Sequence, residues 1–186
     1  MVAGALFLAV PARDAATAFR AQIQGRRTGL ATSVRADEPR HEGDAVGRLE
    51  IPRLGMDVIV FEGGSPATLR RGPGHLPGTA WPAAGATDGN CVIAGHRDSF
   101  FRRLQGAREG DLVRFSGPNG EVTYRLESRR VVRPERVEVL APTPDARLTL
   151  VTCYPFGFVG RAPDRLVWTA RPVPPFEAAA NQHSHR

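Results

Sequence analysis

Two residues able to act as a nucleophile and its base each end an apolar run. Cys153 closes LTLVTC (148–153) and is followed by YPFGF. A thiol at a strand end, next to a proline-containing loop, is held by a rigid element and still faces a cleft. Its thiolate can attack a carbonyl to give a thioester. Taken alone, a single cysteine is most often a buried, inert small hydrophobe. His96 changes the balance. It ends NCVIAGH (90–96), where Gly95 lets another group approach closely. Imidazole beside a thiol can take up a proton and return it, so the pair is a candidate for cysteine-based acyl transfer. Arg161 and Arg165 follow the cysteine within twelve residues. Either guanidinium suits an oxyanion or a peptide carbonyl. Free Cys and His titrate near 8.5 and 6.5, so at pH ~7.5 about 9% of each is charged and the ion pair is on the order of 1%. Attraction within the pair raises that share. Asp98 stands two residues from His96. A triad through it is the lesser reading, and pairing with Arg97 or Arg102 the plainer one.

The elements that must hold these groups are short. AVGRLEI (45–51) and MDVIVF (56–61) are strand-like runs on either side of a turn at 53–55. Residues 67–75 suggest a helical turn and then a Gly/Pro loop. NCVIAGH has the composition of a buried strand, and SFFRRLQG (99–106) that of a short helix. DLVRFS (111–116) and EVTYRLESRRVV (121–132) flank GPNG, a hairpin signal. Residues 133–146 form a Pro-rich connection with one helical turn. ARLTLVTC (146–153) and RLVWTAR (165–171) are the last strands. Seven or eight short strands with 20 glycines and 16 prolines predict a mainly β fold, most economically one closed or nearly closed barrel.

NCVIAGHRDSFFRRL (90–104) and LTLVTCYPFGFVGRAPDRLVW (148–168) resemble the corresponding segments of sortases, above all those of class D. GRLEIPRLGMDVIVFEG (47–63) and LRRGPGHLPGTA (69–80) are similar to further sections of that family, so the resemblance covers about residues 45–171. It implies an eight-stranded sortase-type β-barrel with short helices and a Cys–His–Arg site. The family's catalytic residues fall on Cys153, His96 and Arg165, with Arg161 as the fallback. Substrate-groove positions fall on Ala94, Thr149, Val151 and Thr152, lining the groove or sitting beside the nucleophile. The implied activity is that of a cysteine transpeptidase. It cleaves an LPxTG- or LPxTA-like sorting motif of a surface protein and passes the acyl group to an amine of a cell-wall precursor or a pilin lysine. The 133–146 connection would shape substrate selection. Tyr154, Phe156 and Phe158 would either wall the cleft or pack the loop. Cys91 departs from the family, where that position more often holds an aliphatic residue, and a small buried thiol fits there.

Competing readings are weaker. An L,D-transpeptidase would carry its His just before the Cys, as in SHGC, and His96 lies far upstream. An inactive sortase-like barrel serving as an envelope binding module is the non-enzymatic alternative. The net charge of +6 comes from 25 arginines without any lysine. They are scattered, with no stripe or interleaved aromatics, so nucleic acid is not an expected partner. No phosphate-binding glycine loop, HExxH or tight carboxylate cluster occurs, so neither a cofactor nor a metal is expected.

The flanks complete the organisation. VAGALFLAV (2–10) is apolar but about half the length of a membrane-spanning helix. Residues 1–11 are read as the remnant of a membrane anchor, 12–44 as a helical stalk and linker, 45–171 as the catalytic barrel and 172–186 as a disordered tail. The expected location is the cell envelope, at the extracytoplasmic face of the cytoplasmic membrane.

Overall fold

Along most strands every second residue joins one shared core. In β1 (Ala45–Ile51) and β2 (Met56–Glu62), Leu49, Ile51, Met56, Val58 and Val60 turn inward. β4 (Asn90–Gly95) contributes Cys91 and Ile93, and β7 (Arg147–Tyr154) contributes Leu148 and Leu150. β8 (Asp164–Pro172) adds Leu166, Trp168 and Ala170. One face of each strand therefore meets a common interior, and each fully buried Leu or Ile contributes about 1.5–3 kcal/mol relative to exposure. β2 and β4 are covered on their outer faces as well. The two-residue β3 (Gly74–His75), β5 (Leu112–Gly117) and β6 (Gly120–Val132) complete the set. The order is β1-β2-β3-β4-β7-β8-β6-β5, closed on itself, as expected for an eight-stranded barrel. The computed structural model describes residues 12–27, 40–82 and 86–174. The apolar 1–11 segment, residues 28–39 of the 12–44 stalk and linker and residues 175–186 of the tail lie outside them.

Turn chemistry follows the sequence. Gly55 takes φ 58° to end the 3-10 turn Pro52–Leu54 between β1 and β2. Gly117 pairs with Gly120 across the β5–β6 hairpin. α2 (Pro66–Arg71) is capped by Ser65, whose hydroxyl accepts from the Thr68 N–H at 3.2 Å.

Two pairings are parallel, β2 with β3 and β4 with β7. Because β3 is so short, the outer edge of β2 is left without a strand partner near Ile59. α1 (Ala12–Arg27) fills that gap instead of standing clear of the barrel. The Gln22 amide accepts from the Ile59 N–H at 2.7 Å and donates to the Ile59 and Arg71 carbonyls, each at 3.1 Å. One side chain thus supplies the two bonds that a neighbouring strand would give Ile59.

Candidate active site

The parallel β4–β7 ladder sets the geometry. It runs from Asn90 opposite Arg147 to Ala94 opposite Val151 and Gly95 opposite Thr152. The two strands point the same way and stay in register, so His96 and Cys153, the next residue of each, arrive at the same end of the barrel. The buried Thr152 hydroxyl locks this end by donating to the Gly95 carbonyl at 2.7 Å. On the other side of β7, Cys153 pairs directly with Arg165 of β8. β7 is therefore flanked by the imidazole-bearing strand on one side and the guanidinium-bearing strand on the other.

Parity places the side chains. Leu148 and Leu150 point into the core, so Cys153, Val151, Thr149 and Arg147 occupy the outer face. Ala94 and His96 share that face, since Cys91 and Ile93 point inward. On β8 the outward residues are Arg165, Val167 and Thr169, opposite Cys153, Val151 and Thr149. Cys153, His96 and Arg165 are all half-buried. Arg165 donates through Nη1 to the Asp164 carbonyl at 2.9 Å and the Ala162 carbonyl at 3.3 Å, which holds its stem against the loop. Among the described residues the His96 ring has no hydrogen-bond partner, so both ring nitrogens are open to a thiol or a substrate amine. Gly95 is required by packing: a Cβ there would meet the fully buried Phe101 ring at 2.8 Å.

The remaining sequence expectations divide. Ala94 and Val151 face one another across β4 and β7 and are partly open beside the cysteine. Thr149 lies on the same face but is completely buried. Its hydroxyl donates to Asn90 Oδ1 at 2.6 Å, and Asn90 in turn donates to the Val139 and Ala141 carbonyls, each at 3.1 Å. Thr149 therefore holds the β6–β7 connection down and offers no surface to a ligand. Thr152 adjoins the cysteine in the chain but turns inward, 2% exposed. Arg161 is exposed in the β7–β8 loop, away from the ladder that holds Arg165, and Asp98 is exposed in the turn after His96. Tyr154 and Phe156 pack edge to face with centroids 6.2 Å apart and lie against the core. Phe158 remains 45% exposed under Arg97.

Sequence reasoning singled out the 133–146 connection but not the residues beneath it. The β6–β7 connection, with its 3-10 turn Val137–Leu140, roofs a cavity of about 190 Å3 whose floor includes Val132, Val167 and Thr169. Their signal was the same period-two alternation, but it needs the β6–β8 register to be used. Arg97 was also passed over as a structural element. It donates to the Phe158 and Gly160 carbonyls at 2.6 and 3.0 Å, tying the β4 tip to the β7–β8 loop.

The two cysteines occupy opposite environments. Cys91 is buried, and burial, with a smaller effect of the Glu62 charge, pushes its thiol strongly up, so it remains protonated. Both cysteines are free.

Comparison with known proteins identifies the family and the fold. The Sortase domain family matches residues 49–173. Sortase D of Bacillus subtilis (strain 168) is 34% identical over 126 residues, which is 67% of this chain and 62% of that protein. The chain belongs to the sortase family. The sortase barrel is also found by shape. A Clostridium perfringens Sortase D5 transpeptidase superposes with a TM-score of 0.71 at 22% identity, over 86% of this chain and 99% of that one. The C. perfringens sortase C solved with the C-terminal cell wall sorting motif gives a TM-score of 0.67 at 23% identity, over 89% of this chain and 92% of that one. This sortase thus spans about three fifths of the length of its Bacillus relative.

Proposed function

We propose that this sortase is a cysteine transpeptidase that cleaves an LPxTG- or LPxTA-like motif and transfers the acyl part to an amine. The observation that carries the reading is the parallel β4–β7 register, which brings His96 and Cys153 to one strand end with Arg165 opposite the cysteine. The Cys153 thiolate attacks the scissile carbonyl and an S–C bond forms. The oxyanion is stabilised by the Arg165 guanidinium and by backbone N–H groups. The C–N bond then breaks, and protonated His96 delivers its proton to the departing amine. A thioester remains on Cys153. An acceptor amine attacks it, His96 removes the amine proton, and the new amide leaves the thiolate restored. Cell-wall precursors or pilin lysines are the proposed acceptors, at the extracytoplasmic face of the membrane. None of the described helices is long and apolar enough to cross a membrane.

Incubation with a library of sorting peptides plus an amine, read by mass spectrometry, tests the proposal. Cys153 should carry a thioester of the upstream peptide, and Cys153→Ala should abolish both that adduct and transfer. A thiol-directed vinyl sulfone should label Cys153. Transfer that persists in Cys153→Ala refutes the mechanism. A Cys153 that neither labels nor acylates favours the inactive binding module.

A further inference from the structure

The acyl-enzyme keeps everything upstream of the scissile bond tethered to Cys153 while an amine arrives. A groove for this donor runs away from the cysteine beside β7, over the outward residues Val132 of β6 and Val167 and Thr169 of β8, beneath the β6–β7 connection. The roofed cavity lies there, and its walls carry the side chains of Arg130 and Arg147. Arg147 is on the outward face of β7, six positions from Cys153 (147 to 153), about 20 Å at 3.3 Å per residue. Arg130 flanks the track from β6, opposite Val167.

Local charge there is not balanced. Glu138 in the roof is paired with Arg136. Glu127 and Asp145 near the far end both pair with Arg171, and Asp164 lies 3.6 Å from Arg133. These four carboxylates are thus each committed to another arginine. Arg130 and Arg147 have no ion-pair partner among the described residues, although Arg147 is half-buried in the cavity wall.

We propose that Arg147, assisted by Arg130, selects donor peptides that carry a carboxylate just upstream of the sorting motif. This rests on the sortase reading above and deepens it. An extended peptide advances about 3.3 Å per residue, so a side chain about six residues before the scissile bond reaches Arg147. In a four-residue motif ending at that bond, this is the second residue before the motif. One partly exposed ion pair gives a preference of up to about fivefold, and salt weakens it.

The test uses two LPATG peptides that differ only in Glu or Gln at the sixth residue before the scissile bond. The wild type should turn over the Glu peptide about threefold to fivefold better in kcat/KM, and the ratio should approach one between about 0.05 and 0.5 M salt. Arg147→Gln should bring the Glu-to-Gln ratio to about one. Arg70→Gln, remote on α2, should leave the ratio as in the wild type. A ratio of one in the wild type overturns the inference, as does a preference that survives in Arg147→Gln or is lost equally in Arg70→Gln. Dissociation constants of both peptides for Cys153→Ala separate this from the catalytic reading. If they differ while the wild type forms no acyl-enzyme, groove selection stands and the transpeptidase proposal fails. If they are equal, or neither peptide binds, the selection proposal fails.

Discussion

Replacing Gly95 by alanine should damage the site through the core. The added methyl would sit 2.8, 2.9 and 3.1 Å from three atoms of the Phe101 ring. Phe101 is fully buried among core side chains and cannot swing away. Overpacking of this kind costs about 1–3 kcal/mol. At about 3 °C of Tm per kcal/mol for a domain of this size, Tm should fall by about 3–9 °C. The displacement also has a direction. The strand end carries the carbonyl that receives the Thr152 hydroxyl, and His96 is the next residue. A shift of about 1 Å between imidazole and sulfur would slow acylation by about 100-fold. Thermal unfolding and single-turnover formation of the Cys153 thioester measure the two effects. Adding Phe101→Leu should make room for the methyl and return part of the lost rate, even if total stability does not recover. The reasoning fails if Gly95→Ala melts and acylates like the wild type. It also fails if the double variant regains no rate.

Three further outcomes are expected. Asn90→Ala removes both donations to the roof carbonyls and leaves the buried Thr149 hydroxyl unpaired, a loss of about 1–3 kcal/mol; steady-state kinetics should show KM rising several-fold with kcat nearly unchanged. Burial raises the Asp111 carboxyl, but the Arg53 guanidinium, the Arg108 N–H and both arginine charges outweigh it and hold the group below its ordinary range. That stabilisation is present above the unfolded pKa of about 3.9 and is lost as pH falls through the lower folded value, so urea midpoints measured from pH 6 to pH 2 should fall less steeply in Asp111→Asn. Finally, a thiol reagent should modify one cysteine of the native protein, Cys153, and reach Cys91 only after unfolding, as peptide mapping would reveal.

The longer elements were legible because each carried its own period. AVGRLEI, MDVIVF and the hairpin around GPNG appear as β1, β2 and the β5–β6 pair with nearly the expected bounds. A helical stalk within 12–44 was expected, and α1 occupies Ala12–Arg27, but its docking was not legible, because a glutamine on a helix does not announce that it will complete a strand edge. β3 escaped for the opposite reason. Two residues, Gly74 and His75, are too few to show alternation, and only their partners Phe61, Glu62, Ala94 and Ile93 define them as strand. At the site, strand-end position identified Cys153 and His96 as candidates, but their meeting depends on the β4–β7 pairing, which joins residues far apart in the chain. Thr149 shows the limit of motif transfer. It occupies the expected face, yet Asn90 and the roof close over it.

The Gln22 bonds to Ile59 bear on how copies of this protein behave toward one another. An unoccupied stretch of sheet margin is a template on which a foreign strand can dock, and small β proteins guard such margins. Here the guard is the helix at the start of the described chain. Proteolytic trimming of that helix would leave the catalytic ladder formed while baring a seam on the far side, so a shortened form would be prone to self-association before any loss of its chemistry.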